Sequence, residues 1–299
     1  MSTEPDHRKG LLLTAIGGMA LTVDIPLIRL AEGDPWPILM LRTGTTFLAA
    51  LVIWAVWRAV SPKAPSLIPG WLGALVAMFY GVGSITFITA VYNTSTANLV
   101  FILSFTTMFS ALLSWLFLGE RPRPATLVAM AVMIAGVAII VGDGVGSGSL
   151  FGDVFALLTS LMIASAITVS RHSRRDMGFT ALVGVVFPFI IAAVVVGKTG
   201  YRIDYPWWII FNGAIVMPIS FFCLATGPKY LSGPEVAMFY LLETVLAPVW
   251  VWLIFSEVPT RNTLIGGTIL IVALVSHSVW QLHQARRRKA SSTAVRHPA

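Results

Sequence analysis

Two short stretches of the chain have the same design: Leu118-Gly119-Glu120-Arg121-Pro122 and Phe255-Ser256-Glu257-Val258-Pro259. Each one separates two apolar segments. A shift of 137 positions carries the first stretch onto the second without a gap. The same shift aligns four further pairs, namely Trp71 with Trp208, Ser95 with Ser232, Trp115 with Trp252 and Leu127 with Leu264. A repeat of this length indicates two copies of one unit fused head to tail.

The composition is that of an integral membrane protein. Hydrophobic residues make up 57% of the 299 positions, charged residues only 11%, and the mean hydropathy is +0.84. In a soluble domain, about a quarter of the residues are charged. A membrane-spanning helix needs about 20 mostly apolar residues, so ten of them fill most of this chain and leave short loops.

The apolar windows predict an all-α protein with ten transmembrane helices. Because each copy has an odd number of spans, the second copy enters the membrane from the opposite side, and we expect two inverted five-helix repeats. We place repeat one at 10–142, a Gly-rich linker at 143–149, repeat two at 150–281 and a basic tail at 282–299. The predicted spans are 11–29, 36–57, 69–91, 96–118, 124–142, 150–170, 178–196, 207–226, 234–255 and 261–281.

The distribution of positive charge predicts the orientation. Fifteen of the 20 Lys and Arg residues fall on the side of the N-terminus, and Arg42 lies within a span. The other side holds only Arg29, Lys198, Arg202 and Arg261. Since positive residues concentrate in the cytoplasm, both termini are predicted to be cytoplasmic. The net charge of +7 is therefore interpreted as an orientation signal rather than a nucleic-acid site, and the Arg286–Lys289 tail as a candidate contact for anionic lipid.

The pattern of two five-span halves, each with a short turn of Gly or Ser, Glu and Pro and a Gly-rich last helix, resembles the drug/metabolite transporter superfamily. Within it the chain is similar to the EamA-type exporters, and most like the YddG-type aromatic amino acid exporters. The likeness covers residues 10–281, although Ser256 and Val258 depart from the usual turn. It implies a bacterial inner-membrane exporter of amino acids, preferentially aromatic and other apolar ones, that works by alternating access around a central cavity.

Charged side chains inside a span are costly and therefore informative. Asp24 is predicted about 7 Å, and Arg42 about 9 Å, from the outer ends of their spans. Because the depths match, they form either a structural ion pair or part of an outer gate that contacts the ammonium or carboxylate of a substrate. Pro26 is expected to free the carbonyl of Thr22 and to kink the first span.

Glu243 is the best-placed acid, about 13 Å into a bilayer core of about 30 Å. Three roles are open for it: a protonated acid hydrogen-bonded to a neighbouring helix, a partner for a substrate amine, or a proton-coupling site. Its repeat equivalent is Thr106, so we expect the two to face each other near mid-depth. His277, near the inner face, is either a structural histidine or a second proton site.

Polar side chains near the middle of several spans are candidates for the substrate pathway. The set comprises Asp24, Tyr80, Ser84, Thr106, Thr107, Ser110, Tyr240 and Glu243. Each hydroxyl taken singly also suits a bond to a backbone carbonyl or a neighbouring helix. Glycines within the spans, among them Gly81, Gly136 and Gly266, are expected to permit close helix packing. Glu120 and Glu257, which begin the repeated turns ending at Pro122 and Pro259, are predicted to cap the helix that follows them.

Several functions are not expected. A Gly-rich loop with Lys-Ser or Lys-Thr is absent from the sequence, so no ATPase activity and no ATPase subunit are predicted. We expect no metal and no cofactor, and Cys223 is the only cysteine. The expected partners are a small-molecule substrate and the lipid bilayer, with the chain as a monomer or homodimer. An exporter of cationic drugs or other metabolites is the alternative in the same class, and a membrane-embedded enzyme or a channel lies outside it.

Overall fold

A computed structural model describes residues 7–61, 66–119, 124–147, 149–173, 177–226, 233–273, 275–276 and 279–280. The described residues are helical, apart from turns and one isolated β-bridge between Gly33 and Ile203. The helices are α1 (His7–Leu21), α2 (Asp24–Leu30), α3 (Pro35–Val60), α4 (Gly70–Asn93), α5 (Thr96–Leu103), α6 (Thr106–Leu118), α7 (Pro124–Ser147), α8 (Leu150–Ser173), α9 (Gly178–Gly184), α10 (Val186–Thr199), α11 (Pro206–Phe211), α12 (Met217–Thr226), α13 (Gly233–Phe255) and α14 (Arg261–Ala273). A π-helical turn, Asn212–Val216, joins α11 to α12.

Seven helical segments are long and apolar enough to cross a membrane. They are Arg8–Leu30, Pro35–Val60, Gly70–Asn93, Thr96–Leu118, Leu150–Ser170, Gly178–Thr199 and Pro206–Leu224. Three shorter apolar helices, Leu127–Ile140, Leu242–Phe255 and Arg261–Ala273, lie in the fifth, ninth and tenth predicted spans. The all-helical membrane class is thereby supported, whereas the count of ten crossings and the inverted relation of the repeats stay predictions.

Three of the predicted spans are broken helices, and a further one, 207–226, contains the π-helical turn. The first breaks at Thr22 and Val23, four and three residues before Pro26, as expected for a residue that lacks a backbone N–H. The seventh breaks at Val185, three residues before Pro188, for the same reason. The fourth breaks at Ser104 and Phe105 without a proline, and there the Ser104 hydroxyl donates to the Phe101 carbonyl at 2.6 Å. At the breaks, backbone N–H groups donate to carbonyls three residues earlier, as Thr22 does to Met19 at 3.2 Å and Phe105 to Ile102 at 3.0 Å.

The two repeated turns have the same backbone geometry at the residue that precedes the Glu. Gly119 and Ser256 both adopt a left-handed conformation, with φ of 69° and 56°. In each case the N–H bonds to the carbonyl of the tryptophan four residues earlier, Trp115 at 3.1 Å and Trp252 at 2.9 Å. Gly tolerates this conformation readily, whereas Ser is held there at a cost. The two turns thus share a backbone conformation although Ser256 stands in the place of a glycine, and this supports the internal duplication.

Close packing of α7 on α14 depends on a glycine pair. A Cβ on Gly266 would lie 2.6 Å from the carbonyl oxygen of Gly136, and a Cβ on Gly136 would lie 3.0 Å from that of Gly266. A larger residue at Gly266 would require one of the two helices to shift, because the atom that it meets is backbone. This contact fits the expectation that Gly136 and Gly266 permit close helix packing.

Two loops that are distant in sequence pair through their backbones. Asp34 N–H donates to Arg202 O at 3.1 Å, Asp204 N–H to Glu32 O at 3.0 Å, and Tyr205 N–H to Ala31 O at 3.0 Å. This loop pair, residues 31–34 with residues 202–205, joins the end of α2 to the start of α11. Glu32 adopts a positive φ of 45° within it.

Candidate functional site

Three buried polar side chains form a closed network where α2, α3 and the π-helical turn meet. Arg42 Nη2 donates to Asp24 Oδ2 at 2.8 Å, and its Nε donates to Asn212 Oδ1 at 3.2 Å. Asn212 Nδ2 in turn donates to Asp24 Oδ1 at 2.7 Å and to the Asp24 carbonyl at 3.2 Å. Asp24, Arg42 and Asn212 are 2%, 6% and 0% exposed. A buried ion pair needs such additional hydrogen bonds to offset the loss of hydration.

The local structure explains how each member reaches this point. Asp24 is the first residue of α2, directly after the break in the first span. Asn212 begins the π-helical turn, in which Gly213 lies against α3; a Cβ on Gly213 would be 2.0 Å from Thr45 Oγ1 and 2.5 Å from Arg42 O. The guanidinium of Arg42 also lies 5.5 Å from the centroid of the Phe87 ring. Two interrupted helices and one glycine therefore create the space for the network.

The predicted pairing of Asp24 with Arg42 is present as a direct ion pair. The matched depths of the two residues in their spans indicate this pair from sequence. Asn212 was missed. It is the only amide inside the predicted span 207–226, and an amide in an apolar segment is itself a signal for a buried hydrogen-bond partner. The members of the network satisfy one another, as a structural ion pair requires, and a contact with substrate stays a prediction.

Glu243 lies on α13 and is partly buried. Its helix packs against both α1 and α2, which lie on either side of the break that precedes Asp24. The same face of α13 reaches the break in the first span, because Trp250 Nε1 donates to Thr22 Oγ1 at 3.3 Å. The interior of the bundle thus holds two acids and one base among the described residues of this region, and such groups mark functional positions in membrane proteins.

The predicted hydroxyl set is only partly engaged in hydrogen bonds. Thr107 Oγ1 donates to the Ser104 carbonyl at 3.0 Å, in its own broken span. Ser110 Oγ is buried and has no hydrogen-bond partner among the described residues. The partly buried ring of Tyr80 packs edge-on against Phe221, with centroids 5.9 Å apart. Ser84 and Thr106 are also partly buried, so the pathway assignments stay predictions.

Some predicted residues lie outside the described part of the chain. Glu120, Pro122 and His277 are among them. Tyr240 lies on α13 one turn before Glu243, but its side chain is not described. Pro259 is partly buried in the turn between α13 and α14.

Glu257 corrects a prediction. It does not cap the helix that follows it: Thr260 does so, accepting a hydrogen bond from Thr263 N–H at 3.1 Å. Glu257 Oε1 instead accepts from the N–H of Thr96 at 3.1 Å, in the first turn of α5, and Oε2 is ion-paired with Arg29. The sequence shows that an acid follows each repeated apolar helix, but not which helix N-terminus in space receives it.

Next to Thr96 lies a second buried acid that sequence reasoning missed. Asp153, in the first turn of α8, is fully buried and accepts a 2.5 Å hydrogen bond from Thr94 Oγ1. Its Oδ2 and the hydroxyl of Thr96 have no partner among the described residues. The sequence signal was available, since Asp153 falls inside a predicted span. Among the residues that the structure describes, no group of three His, Cys, Asp or Glu side chains could hold a metal ion.

A bundle of apolar helices with an interior cluster of charged and polar groups, set at helix breaks, defines a polytopic membrane protein with the features of a solute carrier. The EamA-like transporter family model matches residues 8–142 and 150–278. The chain therefore belongs to the EamA-like transporter family and is a multi-pass membrane protein. The YddG-type assignment is not supported by the relatives found.

Two relatives match the chain over more than half of its length. The pseudopaline exporter CntI of Pseudomonas aeruginosa is 24% identical over 287 residues, which cover 91% of this chain and 96% of that protein. An uncharacterized transporter of Synechocystis is 24% identical over 221 residues, and the chain spans only 63% of its length. A solved crystal structure has a TM-score of 0.66 at 14% identity, covering 92% of this chain and 99% of the other; it shows a shared fold.

Proposed function

We propose that this protein exports small zwitterionic metabolites across the bacterial inner membrane, with aromatic and other apolar amino acids as the substrate class. The proposal includes ten membrane crossings, two inverted repeats, cytoplasmic termini and alternating access. Membership of a transporter family whose model matches both halves supports the transport class. The substrate class rests on the chemistry of the interior.

The observation that carries the proposal is the buried ion pair of Asp24 and Arg42 together with the packing of α2 against α13, the helix that carries Glu243. A zwitterion brings one carboxylate and one ammonium group, which arginine and carboxylate side chains can bind. Asp24 and Arg42 satisfy each other, whereas none of the hydrogen bonds among the described residues involves the Glu243 carboxylate. Glu243 is therefore the acid available to a substrate ammonium group or to a proton.

A second candidate function is export of a different metabolite. The Pseudomonas relative that matches 91% of this chain is named a pseudopaline exporter, which favours a metabolite of that kind as the substrate. Cationic drugs are a further alternative within the class, because Glu243 would attract a monovalent cation. Both alternatives predict transport that amino acids do not inhibit.

The test is counterflow in liposomes. Purified protein is reconstituted into vesicles preloaded with unlabelled phenylalanine, and uptake of labelled phenylalanine is measured for the wild type and for Glu243→Gln. We expect saturable uptake by the wild type and a loss of at least about tenfold in the variant, because one charged contact contributes about 1.5–3 kcal/mol. Asp204→Asn is the matched control, since that carboxylate is half exposed in a loop.

The outcomes separate the candidates. Saturable counterflow that Glu243→Gln abolishes and Asp204→Asn preserves supports the carrier and its interior site. Uptake that rises linearly with concentration indicates a channel. No amino acid uptake, together with Glu243-dependent binding of a cationic drug, would overturn the amino acid assignment.

A further inference from the structure

A charged cavity lies at the predicted outer face, beside the end of α2. It has a volume of about 380 Å³, within the range of about 300–1,000 Å³ usual for small-molecule sites. Its lining combines one cation, one acid, polar groups and apolar surface. The residues are Arg29, Glu32, Gly33, Val91, Tyr92, Thr94 and Phe255.

The cation in this cavity is held by a carboxylate that belongs to another segment. Arg29, at the end of α2, is ion-paired with Glu257 of the turn between α13 and α14, and the two side chains are 23% and 27% exposed. Both are therefore accessible to solutes, unlike the Arg42 and Asp24 pair at 7% and 3%. Accessible ion pairs are weak, because water competes with the contact. A carboxylate from solution can compete with Glu257 for Arg29.

The remaining lining suits the rest of an α-amino acid. Glu32 is exposed and supplies a negative charge for an ammonium group. Val91, Phe255 and the ring of Tyr92 supply apolar surface, while the Tyr92 hydroxyl is fixed by donating to Gly33 O at 2.6 Å. Arg29 offers a planar fork that matches a carboxylate.

We propose that this cavity is an outer binding site for zwitterionic substrate, in which the substrate carboxylate displaces Glu257 from Arg29. The proposal rests on the proposed amino acid export and adds a site to it. The exchange replaces one arginine–carboxylate pair with another, so the number of charge pairs at Arg29 is conserved. The ammonium group of the substrate pairs with Glu32.

The displacement has a structural consequence, because Glu257 and Arg29 together connect three segments. Glu257 Oε1 also accepts from Thr96 N–H at 3.1 Å, and Arg29 Nη2 also donates to Thr94 O at 3.4 Å. Thr96, which begins α5, is 1% exposed in this arrangement. When a substrate carboxylate takes the place of Glu257, the acid leaves the start of α5 and Thr96 becomes accessible.

The test uses a single reporter cysteine. Cys223→Ala removes the only natural cysteine, and Thr96→Cys introduces the reporter at a side chain whose hydroxyl has no partner among the described residues. The rate of modification by a water-soluble maleimide is measured in detergent, where both faces of the protein are accessible. We expect phenylalanine to raise the rate about tenfold. Phenethylamine, which has the same ring and amine but no carboxylate, is expected to leave the rate unchanged.

Variants assign the effect to the ion pair. Arg29→Gln and Glu257→Gln are expected to raise the basal rate and to remove its dependence on phenylalanine, because each breaks the pair. Arg202→Gln is the control, an arginine of the same face with a side chain 73% exposed; it is expected to behave as wild type. Arg29→Lys keeps the charge and loses the planar fork, so a weakened response to phenylalanine is expected.

Failure of this site and failure of the proposed function give different results. Equal effects of phenylalanine and phenethylamine, or no effect of either, overturn the outer site even when counterflow occurs. A phenylalanine response that depends on Arg29, in a protein without counterflow, supports the site and removes the transport assignment.

Discussion

At the scale of single residues, Arg42 is held by three buried side chains. Its guanidinium contacts Asp24, Asn212 and the sulfur of Met217, the last at 2.9 Å. Removing one partner of a buried ion pair costs much more stability than removing both partners together. The network therefore ties the first, second and eighth predicted spans to one another.

Arg42→Met is expected to destabilise the protein by about 3–5 kcal/mol, because it leaves Asp24 buried without a cation. The double variant Asp24→Asn, Arg42→Met removes both charges and is expected to recover much of the loss. Thermal unfolding in detergent measures both effects. A double variant no more stable than Arg42→Met alone would show that the uncompensated Asp24 charge is not the cause.

At the scale of helices, the repeated units are not identical. Breaks occur at Thr22 and Ser104 in the first copy and at Val185 and the π-helical turn in the second, so equivalent spans differ in continuity. Pro26 and Pro188 explain two of these differences, because neither residue can donate a backbone hydrogen bond. The pair of glycines between α7 and α14, in contrast, comes from the last helix of each copy.

Gly266→Ala is expected to destabilise the protein by about 1–3 kcal/mol, since the added methyl group would lie 2.6 Å from Gly136 O and 2.7 Å from an Ile140 side-chain carbon. Gly197→Ala is the matched control. It lies in helix α10, and nothing is within 4 Å of the added Cβ. This control is expected to be neutral or stabilising by up to about 1 kcal/mol. An equal fall in unfolding temperature for Gly266→Ala and Gly197→Ala would contradict the packing role of Gly266.

At the scale of the whole molecule, the charge distribution makes a topological prediction. In a Cys223→Ala background, Thr199→Cys lies on the predicted outer side and Ala59→Cys on the predicted inner side, and both positions are exposed. In intact cells a membrane-impermeant maleimide is expected to modify Thr199→Cys directly. Ala59→Cys is expected to react only after permeabilisation. The reverse pattern would contradict the assigned orientation.

The positions of the helices could be predicted from sequence because a run of about 20 apolar residues is a local signal. The ion pair of Asp24 and Arg42 was also accessible, since two charges at matched depth on adjacent spans have few other partners. Asn212 could not be assigned to them, because 188 positions separate it from Asp24 and only the packing of α3 against the π-helical turn brings them together. For the same reason, the sequence did not reveal that Glu257 binds α5 and Arg29.

The paired loops at residues 31–34 and 202–205 bear on the alternating access that we propose. Their three backbone hydrogen bonds fasten the first copy of the repeat to the second. A motion that separated residues 8–142 from residues 150–278 as two blocks would break all three. For the alternating access that we propose, we therefore expect the moving groups to combine helices of both copies, so that the boundary between moving groups differs from the boundary between the sequence repeats.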